Sequence, residues 1–342
     1  MKKAILILVL LTLAVVIVGL PAAIGWFVHD RLSETVSEEL PDAEVEWDRG
    51  WFRSGLRVED EAFGARLDFR HASPGAGWIS VDGLVSLAEW AAAIDLDARL
   101  ALDGTLSANA STPTLEVPGP VTWRYQAPDL ALTAKRGGDA ELSGAAERLL
   151  IVDGIGNRLA FVEPAVEVRI ESESLRTSSA RIALTASRVG EAESRLAVEI
   201  ESIDDAALAE LLQALGQLAG AEPDSAAAGF GAIGAASAWQ QLVSAGLRIE
   251  IVEFVLDGEL SLSGHWQPEE KDFVLTGQGR RETLLQWWSS IAGLAGQLPP
   301  EQARAAARMG LQDLADRGAI ELDGDRINVD LQALPQSTSA QD

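Results

Sequence analysis

The chain of 342 residues contains no cysteine, a single tyrosine and only three histidines. Without cysteine there can be no disulfide, no thiolate metal site and no cysteine nucleophile. The histidines, His29, His71 and His265, stand far apart in the sequence and lack the spacing of zinc ligands. We therefore expect neither a metal site nor a bound cofactor.

Basic residues are also scarce, with 27 Lys and Arg against 52 Asp and Glu and a formal net charge of -25. Apart from Lys2 and Lys3, the only lysines are Lys135 and Lys271. A surface of this sign repels the phosphates of nucleic acids and anionic lipid headgroups. The charge balance therefore argues against nucleic acid as a partner.

Recognisable catalytic motifs are lacking as well. The glycine pairs Gly229-Phe230-Gly231 and Gly277-Gln278-Gly279 have neither the Lys-Ser/Thr ending nor the strand-to-helix setting of a phosphate loop. There is no Gly-x-Ser-x-Gly elbow, and no histidine with a plausible carboxylate accompanies Ser54. We therefore predict no catalytic residues and a protein that is not an enzyme.

The longest apolar segment covers residues 4–25 (AILILVLLTLAVVIVGLPAAIG) and follows Met1-Lys2-Lys3. At about 1.5 Å per residue, a helix of this length covers about 33 Å, which is enough for a hydrocarbon core of about 30 Å. We predict a transmembrane signal anchor over 4–25 and a cytoplasmic stub over 1–3. A cleaved secretory signal and a buried soluble helix are the alternatives, although a signal core is usually only about 7 to 15 residues long.

The charges on either side of this segment predict its orientation. Lys2 and Lys3 precede it, and acidic residues begin at Asp30. The positive-inside rule then places the N-terminus in the cytoplasm and the bulk of the chain outside it. In the juxtamembrane segment 26–43, Trp26 and Phe27 either lie at the membrane interface or pack on the domain.

Period-two alternation dominates the chain after the anchor. In Ala165–Ile170 and Leu196–Ile200, apolar residues alternate with polar ones, which predicts strands with one buried face, as in an antiparallel sheet. Asp-Gly pairs at 103–104, 257–258 and 323–324 predict tight hairpin turns, since both residues tolerate positive φ. They lack the spacing of a calcium loop. We predict a β-rich region over 44–219.

Helices are predicted late in the chain. Asp204 or Asp205 can cap a helix with leucines along one stripe (Leu208, Leu211, Leu212, Leu215 and Leu218). The Ala/Gly-rich stretch 220–237 predicts a flexible loop. The strand–helix region 238–334 is predicted to hold a short helix over 238–245 and helices over 282–297 and 300–315, and the tail 335–342 is predicted to be disordered. Trp287 and Trp288 either pack between helix and sheet or face a membrane or ligand.

This order of elements predicts an α+β fold, because strands and helices do not alternate regularly. We expect an N-terminal transmembrane helix followed by a long, curved, mostly antiparallel β-meander that C-terminal helices cover in part. A sheet face that is covered only in part would leave a groove for an apolar ligand or partner.

A short segment after the anchor carries a family resemblance. The pattern Asp-Arg-Gly-Trp-Phe-x-Ser over residues 48–54 resembles the signature of the YdgA-like family, bacterial proteins with an inner-membrane anchor and a periplasmic domain of unknown biochemical role. In that family a His-Gly-Pro turn follows, whereas here His71-Ala72-Ser73-Pro74 stands in its place, with Ala-Ser replacing Gly. The strands resemble, more loosely, AsmA-type envelope proteins, whose long sheets are associated with lipid handling.

The resemblance implies a periplasmic protein that one span tethers to the bacterial inner membrane, with no established activity. It marks as candidate binding residues Trp47, Arg49, Gly50, Trp51, Phe52, Ser54 and His71. The residues themselves predict a turn at Asp48-Arg49-Gly50. Trp47 and Trp51 then either stabilise the sheet edge or bind a partner or ligand.

These observations predict an envelope protein that binds or scaffolds an apolar ligand such as a lipid, or another envelope protein. The bilayer is itself a partner through residues 4–25. One alternative is a periplasmic hydrolase that uses acidic residues, which would need two or more carboxylates converging in a pocket with raised pKa values. Another is a purely structural spacer, which would need a sheet face sealed by helices.

Overall fold

The alternating segments form strands in a computed structural model of the protein. The structure describes residues 43–50, 52–61, 63–71, 78–88, 92–174, 176–220 and 226–332. The predicted anchor 4–25, Trp51 and the predicted tail 335–342 lie outside the described residues.

Among the described residues, none of the helices combines the length and the apolar composition needed to cross a bilayer.

The described residues form an α+β fold of antiparallel strands and four helices, as the sequence predicts. The chain divides into two compact units. Unit 1 holds the described residues of Met1–Gly119 and Trp123–Arg136, and unit 2 those of Pro120–Thr122 and Gly137–Asp342. The division falls inside 44–219, which the sequence predicted as one β-rich region.

Unit 1 consists of strands, and no helix is found among its described residues. Their bounds are β1 Glu44–Arg49, β2 Arg53–Glu59, β3 Phe63–His71, β4 Ile79–Leu87, β5 Ala92–Leu100, β6 Leu106–Ser111, β7 Thr114–Val117, β8 Val121–Gln126 and β9 Asp129–Ala134. The first two residues of β8 belong to unit 2. The antiparallel order is β1-β2-β3-β4-β5-β6-β9, and β7 pairs with β8 in a separate hairpin. The core lies on one face of β2 and β3 (Leu56, Val58, Ala65 and Phe69).

Unit 2 combines strands with all four described helices. Its first part contains β10 Ala140–Ala145, β11 Arg148–Asp153, β12 Arg158–Ser172, β13 Thr177–Arg188, β14 Glu193–Asp204, α1 Asp205–Gly220 and α2 Ala226–Ser244. Its second part contains β15 Arg248–Leu256, β16 Leu260–Gln267, β17 Asp272–Arg280, α3 Arg281–Gly296, α4 Pro300–Asp316, β18 Ile320–Asp323 and β19 Arg326–Gln332.

The sheet of unit 2 is antiparallel in the order β12-β13-β14-β15-β16-β17-β19-β18. On its other side, β12 pairs first with β11 and then with β10. A bulge between Val162 and Ala165 separates the two pairings, and Glu163 takes a φ of 49° there. A bulge of this kind lets one long strand change partner without losing its buried face.

The predicted Asp-Gly turns and the predicted cap of α1 are confirmed. The turn predicted at Asp48-Arg49-Gly50 is wrong for its first two residues, because Asp48 and Arg49 pair with Gly55 and Ser54 as the end of β1. Each of the three Asp-Gly pairs joins two antiparallel strands, and in the β15–β16 turn Asp257 and Gly258 have φ of 49° and 68°. Positive φ at both central residues matches the twist of the flanking strands. Asp204 caps α1, since its Oδ1 accepts a 2.9 Å hydrogen bond from the amide of Ala207.

The prediction of a flexible loop over 220–237 is wrong for residues 226–237, which the structure describes as helical. Residues 226–237 belong to α2, and the short helix predicted over 238–245 is the end of the same helix. The physical reason is close packing against α1, because a Cβ at Gly231 would lie 2.9 Å from Cγ of Leu218 and 3.3 Å from the carbonyl oxygen of Ala214. Glycine costs helix propensity, but here it lets two backbones approach.

The helices pack in pairs on one face of the unit 2 sheet. The α1–α2 pair covers one end of the strands, where Ala207 and Leu242 contact Ile203 and Leu247. The α3–α4 pair covers the other end, with Leu285, Ala307 and Leu311 packed against Leu256, Leu260, Ile327 and Val329. Trp287 and Trp288 pack against this second cluster, as one of the two sequence interpretations predicts.

Candidate functional site

The candidate residues from the sequence meet at the β1–β2–β3 end of unit 1. Trp47 stacks on Phe69 with ring centroids 6.2 Å apart. Arg49 ends β1 and pairs with Ser54 in β2. Gly50 occupies the turn between them, where a Cβ would lie 2.3 Å from the carbonyl oxygen of Arg53, so that glycine is needed.

The aromatic candidates Phe52 and Trp51 follow the turn. Phe52 is 46% exposed, and its carbonyl accepts a 2.9 Å hydrogen bond from the amide of His71. Trp51 lies outside the described residues. The turn therefore brings most of the candidate residues together, but Phe52 is the only described one that we find with a well exposed aromatic side chain.

Ser54 and His71 form a buried pair that the sequence analysis missed. Ser54 Oγ and His71 Nε2 are hydrogen-bonded at 2.9 Å, and the two residues are 7% and 0% exposed. This distance suits a nucleophile and its base. Burial, however, keeps both atoms from a substrate.

The electrostatics of the pair indicate a structural role. Burial lowers the pKa of His71, so the ring is neutral at neutral pH. In a catalytic triad a carboxylate orients the second ring nitrogen. Among the described residues, Nδ1 of His71 has no hydrogen-bond partner. The pair therefore satisfies two buried polar side chains and lacks the third member of a triad.

Strand register could have revealed this pair. Ser54 lies on the face of β2 that also carries Leu56 and Val58, and His71 shares a face of β3 with Leu67 and Phe69. Ser54 and His71 therefore lie on the same buried face of the β2–β3 hairpin, at the same end of it. Buried polar groups need partners, and each is within reach of the other.

Unit 1 contains one pair of facing carboxylates in which the pKa of one member is raised. Asp82 in β4 and Asp97 in β5 face each other directly across the two strands. Partial burial, together with the hydrogen bond and the charge repulsion from Asp82, raises the pKa of Asp97. The side chains lie on the solvent face of the sheet, and Arg70 pairs with Asp82 at 3.6 Å. The pair therefore stands on an open surface, not in the pocket that a hydrolase would need.

The sheet of unit 2 has two very different faces. One carries ion pairs between neighbouring strands, including Arg169–Glu141 at 3.4 Å and Arg181–Glu199 at 3.2 Å. A cavity of about 570 Å³ lies on this face among small polar side chains such as Ser261, Ser263 and Thr276. Phe254 is the aromatic residue in its lining.

The other face is apolar, and its middle part lies between the two helix pairs. Register places two rows of apolar side chains next to one another across β10, β12, β13, β14 and β15. We call this surface the apolar strip; it consists of Leu142, Val166, Val168, Ile182, Leu184, Leu196, Val198 and Ile251.

Solvent still reaches the apolar strip. Seven of its eight side chains are half-buried, and Leu184 is 40% exposed. None of the core clusters found among the described residues of unit 2 includes them. A contiguous exposed apolar surface of this kind marks an interaction site more often than an isolated exposed leucine does.

The dimensions of the apolar strip limit what it can hold. Its two rows are about 7 Å apart, and its five strands give a length of about 19 Å. A lipid tail spans half of a hydrocarbon core of about 30 Å, so a tail of about 15 Å fits along it.

A buried network fixes the helix pair on one side of the strip. The carboxylate of Asp257, in the β15–β16 turn, accepts hydrogen bonds from Arg188 and from Ser194 Oγ at 3.2 Å. Asp153 ties the β11–β12 turn in a similar way, since Asn157 binds Asp153 and donates to the carbonyl of Leu298 at 2.9 Å. Although burial opposes ionisation of Asp153, hydrogen bonds from Asn157 and neighbouring amides hold its pKa below the ordinary value.

Unit 1 carries a related apolar surface on β5, β6 and β9. Leu100 faces Leu106 across the strands, and Leu130 faces Ala110. The three leucines are 36%, 38% and 44% exposed, in that order. Apolar sheet surface open to solvent is thus a property of both units.

No group of three or more His, Asp or Glu side chains suited to a metal ion is found in the part of the chain that the structure describes. Comparisons of the chain with protein-family models, with curated proteins and with solved structures find no match.

Proposed function

We propose that this chain is a membrane-anchored periplasmic protein of the bacterial envelope and that its apolar strip binds the acyl chain of a lipid. The single observation that carries the proposal is the strip, an apolar surface of unit 2 that the two helix pairs leave open. A resemblance to YdgA-like proteins and the apolar segment 4–25 support the membrane location.

The open strip favours binding over a purely structural spacer. A spacer has no reason to leave leucine and isoleucine in contact with water, because each such side chain gains about 1.5–3 kcal/mol on full burial. A hydrolase is less well supported, since the carboxylate pair Asp82–Asp97 lies on an open sheet surface. The proposal therefore keeps a non-enzymatic role.

Charge limits the kind of lipid. With a net charge of -25, the chain repels anionic headgroups. A lipid without net negative charge, such as a zwitterionic phospholipid, suits the protein best. Another envelope protein as the partner of this surface is the competing possibility.

The test uses the absence of cysteine from the chain. Leu184→Cys and Thr185→Cys place one thiol each on adjacent residues of β13 that face opposite sides of the sheet. Each full-length variant is labelled with a benzophenone maleimide in phosphatidylcholine nanodiscs, irradiated and analysed by mass spectrometry. We expect a lipid adduct at position 184 and little at 185. Equal yields at both positions, or none at 184, would count against the proposal.

A further inference from the structure

The apolar face of the unit 1 sheet is buried at one end and open at the other. Leu56 of β2 and Phe69 of β3 are 4% and 3% exposed. On the same face, Leu100 of β5 and Leu106 of β6 are exposed to solvent, although they are as apolar. One sheet therefore carries a well buried region and a solvent-exposed region on a single face.

Strand register shows that this face is continuous. His71 in β3 is opposite Ile79 in β4, Ile79 is opposite Leu100 in β5, and Leu100 is opposite Leu106 in β6. Residues directly opposite each other on neighbouring strands point to the same side of a sheet. Along this one row the exposed fraction rises from 0% at His71 to 38% at Leu106. Another layer must therefore cover β3 and leave β6 free.

The described residues do not supply that layer. The partly buried apolar residues that pack against Leu56, Val58, Ala65 and Phe69 belong to β1–β4 themselves, apart from Ala43, which directly precedes β1. No helix is found in the described part of unit 1. A sheet face loses its contact with water when a second layer of structure packs on it. The covering layer must then come from a part of the chain outside the described residues.

Among the parts of the chain outside the described residues, 26–42 fits this role. This segment is 17 residues long and leads directly into β1. The other stretches after residue 50 are at most six residues long, except 333–342, where Leu334 is the one large apolar residue. Residues 4–25 are apolar on every side, so a sheet would cover only part of their surface.

The sequence of the segment predicts an amphipathic helix over 28–40. An apolar residue recurs at every fourth position, and these residues share a helix side about 120° wide: Val28, Leu32, Val36 and Leu40. The opposite side carries charged and hydroxyl residues: Asp30, Arg31, Glu34, Ser37 and Glu38. Glu39 is the one charged residue on the apolar side, and Pro41 ends the pattern, as is usual after a helix.

The covered area has the width of one helix. The well buried side chains stand on β2 and β3, which are about 4.8 Å apart, whereas Trp47 on β1 and Val81 on β4 are half-buried. A helix with its side chains is about 10–12 Å across. One helix centred between β2 and β3 would therefore reach the inner edges of β1 and β4 and leave β5 uncovered.

We propose that residues 26–42 pack as an amphipathic helix on the apolar face of β2 and β3, with Leu32 and Val36 directed toward the sheet. The partner of this surface is thus the chain's own segment between 4–25 and β1. Unit 1 is then fixed next to the end of the apolar segment and is not joined to it by a flexible linker. The inference does not depend on the lipid site proposed for unit 2.

The test uses single cysteines in the otherwise cysteine-free full-length chain. Leu32→Cys and Val36→Cys report on the side that is proposed to face the sheet. Glu34→Cys and Glu38→Cys are the matched controls, because residues two positions apart lie about 160° from each other around a helix. Each variant is labelled with a benzophenone maleimide in phosphatidylcholine nanodiscs and irradiated. Mass spectrometry of the digested protein then measures crosslinks to residues 44–87 and lipid adducts.

We expect crosslinks to 44–87 from positions 32 and 36, with yields several-fold higher than from positions 34 and 38. Lipid adducts at 32 and 36 in place of these crosslinks would overturn the inference, because the segment would then lie on the bilayer. Equal crosslinking from all four positions, or none from 32 and 36, would overturn it as well. None of these results bears on the apolar strip, which is tested at positions 184 and 185.

Amide hydrogen exchange measures what the covering segment contributes to the stability of the sheet. The double variant Leu32→Ser/Val36→Ser should raise the exchange rates of the β2 and β3 amides by about tenfold, because it removes two apolar contacts. The control Glu34→Ser/Glu38→Ser should leave these rates unchanged. Equal effects of the two double variants would contradict the proposed packing.

Discussion

The indole Nε1 of Trp287 donates a 2.8 Å hydrogen bond to the carboxylate of Asp257. This contact joins α3 to the tight turn between β15 and β16. Arg188 binds the same carboxylate, and its guanidinium carbon lies 5.2 Å from the centroid of the Trp287 ring. One buried anion thus fixes a strand, a turn and a helix, and holds the α3–α4 pair beside the apolar strip.

Removing this anion should destabilise unit 2. In Asp257→Ala the half-buried guanidinium of Arg188 loses its charged partner, and we expect a loss of about 3–5 kcal/mol in the free energy of unfolding. Trp287→Phe keeps the ring but loses the N–H donor, which should cost about 1.5–3 kcal/mol. Urea unfolding followed by circular dichroism measures both. Asp313→Ala is the control, since its bond to Arg317 is exposed and contributes about 0–1 kcal/mol. A similar cost for Asp257→Ala and the control would show that the network is not important.

The Ser54–His71 pair should make the stability of unit 1 depend on pH. Burial lowers the pKa of His71 in the folded state below the ordinary value of 6.5. As the pH falls through 6.5, His71 of the unfolded chain binds a proton, whereas His71 of the folded chain stays neutral. The free energy of unfolding should therefore fall between about pH 7 and the lowered folded-state pKa, and level off below it.

His71→Gln removes this titration and retains a side chain that can donate a hydrogen bond to Ser54 Oγ. Chemical unfolding of both proteins at a series of pH values should give a slope in the wild type that is smaller in the variant. His29 and His265 are present in both proteins, so the difference reports on His71. Parallel curves would rule out His71 as the source of the pH dependence.

The same substitution at two helical glycines should have opposite effects. In α1, a Cβ at Gly216 meets nothing within 4 Å, so Gly216→Ala should raise the free energy of unfolding by about 0.5–1 kcal/mol through helix propensity. In α4, a Cβ at Gly310 would lie 2.8 Å from the rigid ring of Trp288, so Gly310→Ala should cost about 1–3 kcal/mol. Thermal unfolding compares the two. A stabilising Gly310→Ala would mean that the Trp288 ring can move aside at little cost.

The proposed topology makes a separate prediction for the living cell. Lys135→Cys places a thiol on an exposed residue of unit 1, and Lys3→Cys places one before the apolar segment. In intact spheroplasts, a membrane-impermeant maleimide should label position 135 and not position 3. Labelling of neither position until the cells are lysed would place the described units in the cytoplasm and contradict the proposed location.

Local features of the fold were predictable because their signals are short in range. Alternation in Ala165–Ile170 predicted part of β12, Asp257-Gly258 predicted a hairpin turn, and Asp204 predicted the cap of α1. The Ala/Gly-rich stretch 220–237 led to a wrong prediction of a loop, because composition cannot show that Gly231 packs against Leu218 and Ala214. Tertiary packing there outweighs the poor helix propensity of glycine.

The candidate site depends on register, which the sequence does not specify. Ser54 and His71 meet only because β2 and β3 pair with Ser54 opposite Phe69. The apolar strip likewise needs the register shift between Ala197 and Val198, after which Val198 of β14 faces Ile251 of β15. Its openness depends on where two helix pairs pack, and no pattern within a single strand carries that information.

Native mass spectrometry of the full chain released from phosphatidylcholine nanodiscs tests most sharply whether the apolar strip binds lipid, by comparing the wild type with Leu184→Asp and Thr185→Asp. A carboxylate at position 184 would place a charge against the acyl chain, whereas one at 185 lies on the opposite, polar face. If the apolar strip is the lipid site, the wild type and Thr185→Asp retain a bound lipid and Leu184→Asp loses it. Equal lipid occupancy in all three proteins, or no bound lipid in the wild type, would show that the apolar strip is not a lipid site.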